Sequence, residues 1–255
     1  MPQEPLSAFE VDPEILARMH LMTEAHLDDV CRLHRAAMGA SLWARLGPLF
    51  LRRLYRALVK SPDFIGLVYI EESRVRGFIA GSSNGPRMMR RILARHVFQL
   101  GAAAFWGVLR RPAVAWPLLE TLRYFGKSGV AGAEDIVAES MFCSFEPELR
   151  GKRISGLINK LLFDELTRRG AHFVKITTDS DNAGAARQLT SWGFERAGEF
   201  RFYGKAMVTW VLDLDVCERV SRPRDVAVVL TEDHQPRPPG SALGDQSCRG
   251  DWGGS

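Results

Sequence analysis

Apolar positions along this chain change period several times, and each change marks an element. Leu21-Met-Thr23 reads as a short first strand. Leu27, Val30, Leu33 and Ala37 then recur at helical spacing, with Thr23 as cap and Glu24, Asp28 and Asp29 near the positive end. A second helix is expected from Leu46 to Lys60, and Ser61-Pro62-Asp63 stops it. Phe64 to Ile70 reads as a strand, Glu71-Glu-Ser-Arg74 as a turn, and Val75 to Gly81 as the antiparallel partner. Ser82-Ser-Asn-Gly-Pro86 is expected to end the hairpin.

Residues 87–130 change character. They hold Arg87, Arg90, Arg91, Arg95, Arg110, Arg111, Arg123 and Lys127 against a single acid, Glu120, with Phe98, Phe105, Trp106, Trp116, Tyr124 and Phe125 between them. The pattern predicts two or three amphipathic helices, broken near Pro112 and Pro117. Strand, turn and helix resume with a strand from Ile136 to Phe145 and a helix from Ile154 to Arg169, closed by Gly170. A strand from His172 to Thr178, a short helix from Asn182 to Ser191, and paired strands over Phe194–Phe200 and Tyr203–Leu214 complete the pattern. Residues 1–18 read as an N-terminal arm, 19–214 as one domain, and 215–255 as a disordered tail without periodicity.

Bulk composition narrows the class. The 255 residues are 46% hydrophobic and 25% charged, with a net charge of +4. That balance suits a soluble domain with an anionic ligand and is too weak to imply nucleic acid. Cys31, Cys143, Cys217 and Cys248 are widely spaced, and the six histidines have no metal-ligand spacing, so neither a disulfide framework nor a metal site is expected. Met1-Pro-Gln-Glu-Pro-Leu6 has no basic segment followed by an apolar one, and the expectation is a cytoplasmic protein. The apolar run Val97–Leu109 is shorter than the roughly 20 residues of a bilayer span.

The richest stretch for chemistry is Phe145-Glu-Pro-Glu-Leu-Arg-Gly-Lys-Arg-Ile-Ser-Gly156, a strand that turns directly into a helix. The first amides of a helix lack partners within it, and the dipole places positive charge there. Arg150, Lys152 and Arg153 add cations, and Gly151 leaves the backbone open to close approach. A pyrophosphate on this turn would collect several charge-assisted hydrogen bonds. A solvated basic turn capping an ordinary helix has the same residues.

Phe145-x-Pro147-Glu148-x-Arg150-Gly151-Lys152-x-Ile154 resembles the acyl-CoA-binding motif of the GNAT superfamily of N-acyltransferases. Arg150 matches; Arg153 stands where that motif has Gly, Ser155 where it has Gly or Ala, and Gly156 comes one residue late. Asn182, Ala185, Gly193 and Phe194 are similar in spacing to the family's downstream motif. The resemblance covers residues 19–214 apart from the 87–130 insertion. It implies an α/β (α+β) fold with a mixed, mostly antiparallel sheet flanked by helices, and a basic helical insertion between the third and fourth strands.

The resemblance also implies a function. Two central strands would splay, and the pantetheine arm of acetyl-CoA, the acyl-donor cosubstrate, would lie between them. A backbone amide near Cys143 would polarise the thioester carbonyl for direct attack by an amine. Phe145, Arg150, Gly151, Lys152, Arg153, Ile154, Ser155, Gly156 and Asn182 would bind the cofactor. Glu139 stands where relatives carry a catalytic base. Leu189 replaces the tyrosine many relatives use as general acid, and Tyr203 is a substitute candidate that could equally be a core-packing strand aromatic; no metal is implied. The expected acceptor is a small-molecule amine or an amino sugar. A catalytically inactive CoA- or partner-binding module and a membrane-surface enzyme using longer acyl-CoA are the alternatives. For residues 87–130 a lid, a peripheral membrane contact and a homodimer interface all stay open.

Overall fold

The hairpin expected over residues 64–82 forms the second and third strands of a seven-stranded sheet in the computed structural model. The structure describes residues 11–39, 41–116, 118, 133, 135–149, 151–202 and 204–220. Arg150 and Tyr203 lie outside the described residues, as do 1–10 of the arm, most of 119–134 and 221–255 of the tail.

The strands are β1 (Met19–Leu21), β2 (Phe64–Glu71), β3 (Arg74–Ser82), β4 (Glu139–Phe145), β5 (Phe173–Asp179), β6 (Glu195–Phe202) and β7 (Lys205–Asp213), in spatial order β1-β2-β3-β4-β5-β7-β6. Every neighbouring pair is antiparallel except β4 and β5. The β2–β3 turn places Glu72 and Ser73 at φ of 52° and 61°, the left-handed pair that matches strand twist.

Among the described residues the helices that cover the two faces are α1 (Pro13–Leu16), α2 (Leu27–Met38), α3 (Leu42–Arg45), α4 (Pro48–Val59), α5 (Gly85–Arg110), α6 (Ile154–Arg168) and α7 (Ala183–Trp192). Alternation along β3 divides the core. Phe78 and Ala80 pack with Leu27, Leu51, Leu58 and Met88 beneath α2, α4 and α5. Ile79 packs on the opposite face with Leu157, Ile158, Leu162 and Phe163 of α6 and Trp192 of α7. This is the mixed, mostly antiparallel sheet between helices that the resemblance implied.

Several boundaries differ from expectation. The helix predicted over 46–60 begins at Pro48, because Gly47 adopts a φ of 101° and separates it from the short α3 that ends at Arg45. Gly85-Pro86 does not end the hairpin region in a loop. Asn84 Oδ1 accepts from the Arg87 amide, and Pro86 sits in the first turn of α5, so these residues start a helix. That helix runs 26 residues as two segments joined at a kink at His96 and ends before Pro112, and by length and composition alone it suffices to cross a membrane. Residues 11–18 carry a helical turn capped by Asp12. At the other end the chain still packs as far as Val220, and the Arg219 carbonyl accepts from Lys160 Nζ at 2.9 Å.

Candidate functional site

β4 and β5 touch over only two residue pairs, Glu139 with Lys175 and Ser140 with Ile176. Above that point β4 stays with β3 as far as Phe145, and β5 stays with β7 as far as Asp179. The register between β3 and β4 slips at Ala80/Gly81, so Met141 has no opposite residue where the strands begin to part. A slot therefore opens in the middle of the sheet.

Hydrogen-bond alternation decides which backbone groups line it. The Glu146 amide donates to the Arg76 carbonyl at 2.8 Å. In an antiparallel ladder the bonded pairs alternate, so Ser144 and Phe142 bond toward β3 while Cys143 and Phe145 present their amides and carbonyls to the slot. On the other wall the Ser180 amide donates to the Ala206 carbonyl at 2.9 Å. By the same alternation Thr178 and Ile176 bond toward β7, and Thr177 and Asp179 face the slot. An extended chain with amides of its own fits between these walls as an added strand does.

The mouth of the slot leads to the N-terminus of α6. Its first backbone bond runs from the Leu157 amide to the Arg153 carbonyl at 3.1 Å, so the amides of Ile154, Ser155 and Gly156 have no acceptor within the helix. Gly151 and Arg153 both adopt positive φ, 79° and 57°. Arg153 thus takes the backbone conformation its expected glycine would take. Gly151, Lys152 and Arg153 are exposed, while Ile154 anchors the turn in the core. The Arg153 side chain lies at the surface, not among buried residues.

Charge fixes the turn in place. Glu146 bridges Arg76 Nε at 2.7 Å and Arg32 at 2.9 Å, tying the segment after β4 to β3 and α2. The hydrogen bond from Arg76 and the charge of Arg32 hold the Glu146 carboxyl below its ordinary range. Leu149, buried two residues before Gly151, provides the apolar half of the anchor.

The remaining candidates occupy distinct positions. Glu139 is half-buried at the foot of the slot, its Oε2 against Gly85 at the start of α5. Burial raises its carboxyl, and Lys175 on the adjoining strand partly opposes the shift. Cys143 is exposed, yet surrounding protein desolvates its thiol and pushes it up to about 12. The Phe145 ring does not enter the slot region freely; it lies over Gly77 of β3. Asn182 caps α7, its Oδ1 accepting from the Ala185 amide at 3.0 Å. Leu189 is buried among Trp192 and its neighbours, as a core residue.

Sequence reasoning missed Thr177 and Asp179, which contribute through backbone alone. A cavity of about 1060 Å³ lies elsewhere, lined by Ala138, Gly170, Phe173, Trp192, Leu212 and Cys217, and none of the candidate residues borders it. Strand divergence, not enclosed volume, defines the slot.

No family model matches the chain. A mycothiol acetyltransferase from Brachybacterium faecium is 34% identical over 67 residues, which are 26% of this chain and 20% of that protein. The chain thus spans about a fifth of that relative's length. Among solved structures, a candidate acetyltransferase from Acinetobacter baylyi ADP1 superposes with a TM-score of 0.51 at 14% identity, covering 78% of this chain and 93% of that one. Another acetyltransferase structure gives 0.50 at 14% identity, covering 77% and 98%. With the parted β4 and β5 and the amide-rich turn opening α6, these likenesses identify the fold of this chain as that of the GNAT N-acyltransferases.

Proposed function

We propose that this chain is an acetyl-CoA-dependent N-acyltransferase acting on a primary amine of a small molecule or amino sugar. The observation that carries the reading is the slot. The outward amides and carbonyls of Cys143 and Phe145 match the amide-bearing pantetheine arm, and the slot leads to the unbonded amides of Ile154, Ser155 and Gly156. The pyrophosphate would lie on those amides, with Lys152, Arg153 and Arg150 supplying charge. Asn182 would flank the arm from the start of α7.

In this reading the thioester carbonyl oxygen accepts a hydrogen bond from the Cys143 amide. That bond strengthens as negative charge develops on the oxygen. A neutral amine attacks the carbonyl carbon, the tetrahedral species collapses, and CoA leaves as a thiolate that takes up a proton. Glu139 is assigned the base. Its raised carboxyl suits proton removal nearer neutrality than an exposed carboxylate would. It lies four residues before Cys143, about 13 Å along a strand, so the proton travels through water. Tyr203 is assigned the proton return to the thiolate.

Isothermal titration with CoA tests the site. Replacing Arg150 and Lys152 by Glu should abolish binding, and an unchanged dissociation constant would remove the turn from the site. Acetyl-CoA consumption across an amine panel tests the chemistry. Buried Leu189, at the position of the family tyrosine, favours a second reading in which the fold binds CoA without turning it over. CoA binding with no consumption of acetyl-CoA for any amine would select that reading.

A further inference from the structure

Helix α5 presents two unlike faces. Met88, Met89, Ile92, Leu100, Ala103, Ala104 and Gly107 are buried, and the helix packs against α4. After the kink at His96 the exposed positions are Val97, Phe98, Gln99, Gly101, Ala102, Phe105, Trp106, Leu109 and Arg110. Up to Leu109 every one except Gln99 is apolar or glycine. Phe98 is 88% exposed, Phe105 69% and Leu109 60%, and Trp116 just beyond the helix is 70% exposed. Single exposed apolar residues are ordinary, but a continuous row of large ones marks a contact surface.

Charge indicates what the surface meets. Residues 85–118 contain no Asp or Glu. Arg87 and Arg91 are paired to Asp63 behind the helix. Arg90 and Arg95 before the apolar row, and Arg110 and Arg111 after it, are exposed and form no salt bridge among the described residues. The Arg110 guanidinium lies over the Trp106 ring at 4.8 Å, joining a cation to an aromatic at the row's edge.

We propose that this face of α5 lies in the headgroup layer of an anionic membrane, with the helix parallel to the surface. Phe98, Phe105 and Leu109 would dip toward the acyl chains. Trp106 and Trp116 would sit at headgroup level, and the four arginines would meet lipid phosphates. A transmembrane path does not fit, because the opposite face of the helix, with Met88, Ile92, Leu100 and Ala103, is docked on the domain against α4. A second copy placed symmetrically on the same face would bring arginines against arginines with no acid between them.

Vesicle flotation of the full chain tests this, with phosphatidylcholine vesicles prepared with and without phosphatidylglycerol. The protein should float with the phosphatidylglycerol vesicles and lose that association as salt is raised. Two variants, Phe98→Ser/Phe105→Ser/Leu109→Ser and Arg95→Glu/Arg110→Glu/Arg111→Glu, should each weaken partition at least about tenfold. All six positions are exposed, and an unchanged circular-dichroism melt would show the fold intact. Failure to float at low salt, or flotation unchanged in both variants, would overturn the proposal. So would a wild-type dimer by light scattering that the Phe98 variant converts to monomer without any vesicle association. CoA binding should be the same in both variants, so the outcome is independent of the acyl-transfer reading.

Discussion

The ring of Phe145 lies directly over the bare Cα of Gly77, its partner across β3 and β4: a methyl group built on Gly77 would come within 2.2 Å of Phe145 Cδ1. This close approach keeps the upper half of β4 on β3 while β5 departs. Gly77→Ala should push the ring and the strand toward the slot, lowering stability by about 1–3 kcal/mol through overpacking. The double substitution Gly77→Ala/Phe145→Ala should recover part of that loss. Urea denaturation of the three variants measures it; a Gly77→Ala protein as stable as the parent would show that β4 has slack here.

Arg153 holds a left-handed backbone with φ 57° and ψ 0°. For a side chain with a Cβ this costs roughly 1–2 kcal/mol, partly offset in glycine by its larger entropy loss on folding. Arg153→Gly should therefore be more stable than Arg153→Ala by about 1 kcal/mol in thermal melts. Equal melting temperatures would mean that the turn has another conformation in solution.

His34 is fully buried, with Nδ1 at 2.9 Å from the Tyr55 hydroxyl and Nε2 at 3.3 Å from Ser41 Oγ. Burial lowers its pKa from 6.5 to about 4. Between those values the unfolded chain binds the proton and the folded chain does not. Stability is therefore full above about pH 6.5 and falls as the pH drops toward 4, by up to about 3 kcal/mol. His26 is shifted in the same direction, so the diagnostic is the comparison with His34→Gln. That variant should lose less stability between about pH 7 and about pH 5 in urea titrations. Identical losses in the two proteins would place the pH dependence elsewhere.

Cys143 combines accessibility with a thiol pushed up to about 12. Near neutral pH only about one such thiol in 100,000 is ionised. Iodoacetamide should label Cys143 far more slowly than a free thiol in solution, and saturating CoA should slow it further. Cys143→Ala should keep acyl transfer within about threefold, because the slot is lined by the backbone of this residue and no nucleophilic thiol is used. Rapid labelling at Cys143, indifferent to CoA, would place the cofactor outside the slot.

Much of this architecture can be read from the residues themselves. The apolar runs at Phe64–Ile70 and Val75–Gly81, split by the Glu71–Arg74 turn, set the hairpin within one residue at each end. Phe145 to Gly156 announced the strand, turn and helix that make the candidate phosphate site, and Asn182 announced the start of α7. What escaped was decided by partners distant in sequence. Thr177 and Asp179 face the slot because of β5's register against β7, and nothing in their own identity records that. Gly85-Pro86 carries the signature of a chain break, and only the cap from Asn84 makes it a helix start. The left-handed Arg153 was visible as a mismatch with glycine, though not as a conformation.

The two pairs joining Glu139–Ser140 to Lys175–Ile176 have a consequence for the molecule without its cosubstrate. They form a narrow isthmus between two larger blocks, one carrying β1 to β4 and the other β5 to β7. A thioester threaded along the gap would suture the blocks, so the substrate would serve as the absent eighth ribbon of the sheet. Occupancy and rigidity then rise together, and amide exchange at Cys143 and Phe145 becomes a gauge of how tightly the halves are stitched.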